Sequence, residues 1–153
     1  MIPEAKLIRS ETMVRDLVLS EDVRLTRKAL IRWLALALGL MAPNESRQLL
    51  LDVLEGIFYF HVHKQNPTTV QILEKMEQLT NTKPNTKAVY YHLLNLKNIG
   101  ILHRKKGRYY LSEEEGKGLA GLLRNTYEKR FQQAFISIEE GLGALENNYK
   151  GSV

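Results

Sequence analysis

Between Leu49 and Leu111 three runs of apolar residues at helical spacing are followed by a glycine turn between two short extended runs. Leu49, Leu50, Val53, Leu54, Ile57 and Phe58 keep i, i+3, i+4 spacing to about His63, which gives a helix one apolar face. Asn44 stands where an N-cap for this helix is expected, and Asn66-Pro67 breaks the run. Thr68 or Thr69 then opens a short helix with Ile72, Leu73, Met76 and Leu79 inward. The stretch TNTKPN from Thr80 is turn chemistry, with Pro84 near the start of a third helix. That helix carries Val89, Leu93, Leu96 and Ile99 on one face and stops at Gly100. Ile101-Leu102, the tip Arg104-Lys105-Lys106-Gly107, and Arg108-Tyr109-Tyr110-Leu111 predict a β-hairpin.

Both flanks read as helical. Leu7, Val14, Leu17 and Val18 follow a loose 3.6-residue pattern. Ser20, with Glu21 and Asp22 behind it, predicts a helix that runs on through Leu30, Ile31, Trp33, Leu34, Leu36 and Leu38 and ends at Gly39 and Pro43. Apolar residues surround most of that helix, so it needs cover on several sides, from its own domain or from another subunit. At the other end, Ser112 with Glu115 forms a capping box for a long final helix. From Phe131 its apolar residues (Phe135, Ile138, Leu142, Leu145, Tyr149) follow heptad steps, although Gly141 and Gly143 each weaken it by about 1 kcal/mol. The expected organisation is an N-terminal helical extension at 1–43, a central module at 44–111 and a C-terminal helix at 112–153.

Charge is distributed unevenly. From Gln78 to Ser112 the chain has seven Lys/Arg (Lys83, Lys87, Lys97, Arg104, Lys105, Lys106, Arg108) and no Asp or Glu. The net charge of the whole is +5, so the remainder is slightly acidic. A local basic block presents one surface to something negative, and nucleic-acid phosphate is the commonest candidate.

Other classes fall away on composition. The chain has 153 residues and no cysteine, which removes disulfides, thiolate metal sites and cysteine nucleophiles. The most apolar segment, Leu34 to Ala42, is nine residues, against about twenty for a bilayer span. No membrane partner and a cytoplasmic location are expected. His61 and His63 are two apart on a helix and so face different ways, and His92 and His103 have no second ligand pair nearby. Neither metal, cofactor nor enzymatic activity is expected: there is no phosphate loop, nucleophile elbow or carboxylate pair.

In order, the central elements are helix, short helix, turn, third helix and basic hairpin. The stretch Lys87-Ala88-Val89-Tyr90-Tyr91-His92-Leu93-Leu94-Asn95-Leu96-Lys97-Asn98-Ile99-Gly100-Ile101-Leu102 resembles the recognition-helix region of prokaryotic winged helix-turn-helix transcription regulators, the PadR-like, ArsR-like and MarR-like families. The resemblance covers about Ser46 to Leu111 and rests on V-Y-x-H-L-x-x-L, a short polar run, glycine and two apolar residues. It implies a mostly α fold with a small β-hairpin wing: a winged helix-turn-helix with N- and C-terminal helical extensions.

The expected activity is sequence-specific binding of double-stranded DNA by a homodimeric regulator, on a pseudo-palindromic site. With Val89, Leu93 and Leu96 inward, the third helix offers Thr86, Lys87, Tyr90, Tyr91 and Asn95 to a major groove. The hairpin tip offers Arg104, Lys105, Lys106 and Arg108 to phosphate or a minor groove. Trp33, Leu34, Leu38, Tyr127, Phe131, Phe135, Ile138, Leu142 and Leu145 are the expected dimer contacts. No residue points to a small-molecule effector. The rival expectation is a winged-helix adaptor that binds proteins, because fold does not fix function. RNA or single strands stacked on the tyrosines form a third class.

Overall fold

The computed structural model describes residues 1–111 and 118–152. The chain is mostly helical with one small antiparallel hairpin. It divides into two compact units, Met1–Glu113 and Glu114–Val153.

The first unit is built around α3 (Gln48–Val62), which buries Leu50, Leu51, Val53, Leu54, Ile57 and Phe60. α4 (Thr69–Thr80) and α5 (Thr86–Asn98) both pack against it. α4 contributes Ile72 and Met76, and α5 contributes Val89, Leu93 and Leu96. The local signals act as written in the sequence. Thr68 and Gln71 close a capping box at the head of α4. The Asn85 carboxamide oxygen accepts from the Ala88 N–H at 3.1 Å and starts α5. Between them Asn81 takes the left-handed conformation that ends α4. The expected Asn44 cap does not form: Asn44 sits in a turn, and Arg47 precedes α3 with no side-chain cap.

α5 leads directly into β1 (His103–Lys105) and β2 (Arg108–Tyr110). Ile101 and Leu102 lie before the first strand and are buried, their N–H groups donating to the Leu96 carbonyl. Lys106 (φ 54°) and Gly107 (φ 77°) form the two-residue turn. Positive φ at both positions is the type I′ geometry that matches strand twist.

The N-terminal region departs from expectation twice. The single helix expected from Ser20 is two: a turn, α1 (Glu21–Arg24), and then α2 (Arg27–Ala37). Thr26 is the reason. Its backbone is extended and its hydroxyl accepts from the Ala29 N–H at 3.1 Å, so it caps a new helix rather than continuing the old one. Residues 8–20, expected to be helical, contain no helix. Several of their hydrogen bonds run to α2 and the link after it. The Arg15 N–H donates to the Ala37 carbonyl at 2.8 Å, and its guanidinium donates to the carbonyls of Leu36 (2.7 Å) and Met41 (2.8 Å). The Trp33 indole N–H donates to the Val18 carbonyl at 2.9 Å. The arm thus supplies part of the cover that α2 requires, and α3 supplies another part. Residues 1–43 accordingly belong to the same compact unit as 44–111.

The second unit is dominated by α6 (Leu119–Gly151), 33 residues long and about 50 Å from end to end at 1.5 Å per residue. Gly118 precedes it without a side-chain cap. The Ser112–Glu115 capping box lies outside the described residues. Leu122 and Tyr127 are its buried side chains. Burial pushes the Tyr127 phenol up to about 12, against a smaller opposing effect of Arg130. No helix among the described residues is long and apolar enough to cross a membrane.

Candidate nucleic-acid interface

The inward face of α5 fixes what its outward face can present. With Val89, Leu93 and Leu96 sealed in the core, Thr86, Lys87, Tyr90 and Tyr91 are all exposed. Tyr90 and Tyr91 are 47% and 58% accessible, so both lie at the surface. Leu94 joins them at 52%. It was not among the expected contacts, although its spacing puts it there: it lies seven residues after Lys87, four after Tyr90 and three after Tyr91. The outward stripe is therefore Lys87, Tyr90, Tyr91 and Leu94.

Asn95 is set apart from that stripe. It is half-buried on the flank of α5, in a groove of about 160 Å³ that it shares with Gly39, Leu40, Arg47, Leu50, His92, Leu96 and Ile99. Burial, and then the nearby Arg47 guanidinium, hold the His92 imidazole below its ordinary 6.5. Asn95 thus faces the link between α2 and α3 more than open solvent.

All four expected hairpin cations are exposed. Arg104 lies over the Tyr109 ring, 5.4 Å from its centroid. Lys105 ends β1 and Lys106 begins the turn. Arg108 also works within the chain, its guanidinium donating to the Asn66 carbonyl at 3.0 Å. A Thr68–Arg108 bridge runs β2 alongside the residues that precede α4. Tyr109 is buried and Tyr110 half-buried, the latter stacked on His103 at 5.4 Å. The hairpin is anchored by its second strand and presents its tip.

The expected dimer residues divide into two groups. Trp33, Leu34 and Leu38 are half-buried, and the Trp33 indole is held by the N-terminal arm. On α6, Tyr127 is buried and Phe131 half-buried. Beyond them Phe135, Ile138, Leu142 and Leu145 are each about half accessible and follow one another at steps of 3, 4 and 3. An apolar seam this long and open is unusual on a helix in water. Among the described residues no group of three or more His, Cys, Asp or Glu side chains comes together. No model of a known protein family, no curated protein and no solved structure matches the chain.

Proposed function

We propose that this chain is a transcriptional regulator that binds double-stranded DNA as a homodimer on a pseudo-palindromic site. In this reading residues 44–111 form a winged helix-turn-helix. α5 is the recognition helix, and the hairpin is the wing. The observation that carries the proposal is the outward face of α5 and the hairpin tip taken together. Lys87, Tyr90, Tyr91, Arg104, Lys105 and Lys106 are all exposed on two consecutive elements within an acid-free stretch. An amphipathic helix of this length fits a major groove, and a cationic turn suits phosphate or a minor groove. The open seam of α6 supports a second copy as partner, which would set two recognition helices about 34 Å apart.

Titration of random duplex DNA at rising salt tests the proposal. If each protomer neutralises about four phosphates, log affinity falls against log salt with a slope of about −7. A flat dependence, or no binding at low salt, removes the DNA reading and leaves the protein-binding adaptor. Selection of bound duplexes from a random pool then reads out symmetry and half-site spacing.

A further inference from the structure

Resting on the DNA-binding reading, we infer that α5 selects a thymine-rich half-site by packing Tyr90, Tyr91 and Leu94 on the 5-methyl groups that thymine places in the major groove. The chemistry of the outward stripe points there. Each base offers the major groove a different partner: guanine takes a cation, adenine a carboxamide, cytosine a carboxylate, and thymine a carbon surface at its methyl. Over positions 87, 90, 91 and 94 the stripe holds one cation, Lys87, and three large carbon-rich side chains. α5 contains no arginine, glutamine, aspartate or glutamate. Its two asparagines are poorly placed for adenine. Asn95 lies in the flanking groove with His92 and Arg47, and Asn98 is the last residue of the helix, one turn beyond Leu94.

Burial in the chain accounts for only part of the stripe. Leu94 leaves 52% of its surface in solvent and completes an apolar row with the two tyrosines. Such a row discriminates weakly among guanine, adenine and cytosine and strongly for a methyl. Lys87, in the first turn, can take one guanine or a phosphate.

The experiment compares labelled duplexes of alternating dA–dT, dA–dU and dG–dC of one length by fluorescence anisotropy. The first two share every minor-groove atom and differ only in the thymine methyl. The dA–dT duplex binds tightest, ahead of dA–dU by about fourfold for each methyl buried. Leu94→Ala, an exposed change, narrows the gap between dA–dT and dA–dU. Lys105→Ala with Lys106→Ala weakens all three duplexes alike. Equal affinity for dA–dT and dA–dU, or tightest binding to dG–dC, overturns the inference while DNA binding stands. No binding to any duplex at low salt removes the DNA reading itself, and this inference with it.

Discussion

The Tyr109 N–H donates to the Pro67 carbonyl at 2.8 Å, so the second hairpin strand is tied to the link between α3 and α4. The Tyr109 ring is buried beneath this contact. With the Arg108–Asn66 hydrogen bond and the Thr68–Arg108 bridge, this ring and this backbone bond hold the hairpin in place. Tyr109→Ala is expected to cost about 3–5 kcal/mol, as truncation of a buried aromatic does. It should also weaken duplex binding at salt where the fold persists. Tyr109→Phe keeps the ring and should stay close to the parent chain. Urea unfolding of both variants checks this, and equal midpoints would show that the hairpin is held elsewhere.

Lys106 occupies a left-handed position (φ 54°) where asparagine or glycine is the usual choice. A side chain that, unlike asparagine, makes no local hydrogen bond there costs about 1–2 kcal/mol. Lys106→Asn should raise stability by about 0.5–1 kcal/mol and at the same time lower affinity for duplex DNA. A variant more stable and equally tight would mean that the lysine has no part in binding.

Two glycines respond to alanine with opposite signs. Gly39 has φ 71°, and a Cβ there would lie 2.5 Å from the Met13 carbonyl oxygen. Gly39→Ala must strain the backbone and displace the N-terminal arm, at a cost above the roughly 1–2 kcal/mol of the conformation alone. At Gly141, within α6, an added Cβ meets nothing within 4 Å. Gly141→Ala should stabilise the helix by about 1 kcal/mol. Thermal unfolding separates the two, and the arm's role fails if Gly39→Ala melts with the parent.

His92 gives a pH dependence of known sign. Its folded value lies below the unfolded 6.5, through burial first and Arg47 second. Just below 6.5 the unfolded chain therefore binds more protons than the folded one. Its contribution is complete above that value and is lost as the pH falls. His92→Gln should flatten the decline in urea midpoint between about pH 7.5 and 5.5. An unchanged decline would place the titration on other groups.

On the proposed reading, changes in α5 and in the hairpin tip are expected to differ in kind. Lys87→Ala or Tyr91→Ala should cost about 1–3 kcal/mol on the selected site and less on random duplexes. Lys105→Ala with Lys106→Ala should weaken both alike and flatten the salt slope. Equal losses on both DNAs from the α5 changes would take readout away from that helix.

The central elements were legible because their signals are local. Asn66-Pro67, Thr68, the TNTKPN turn, Gly100 and Gly107 each act within a few residues, and the apolar periods of α3, α4 and α5 leave little choice of face. The caps from Gln71 and Asn85 are local too, though spacing alone does not single them out. The acid-free stretch is likewise a property of order along the chain. Leu94 could have been read from spacing, since the residues that define the outward face lie three, four and seven positions before it.

Tertiary structure decided the rest. Residues 8–20 have a loose helical spacing, but Arg15 and Val18 hydrogen-bond α2 and the link after it, more than a dozen positions away. Thr26 could have stood inside a helix or at its start, and only the packed chain fixes which. Asn95 and His92 meet Leu40 and Arg47 across a groove that no local pattern encodes. Local propensity is a matter of tenths to about 1 kcal/mol per residue. Contacts between distant segments are worth as much or more, so they prevail wherever the local preference is weak.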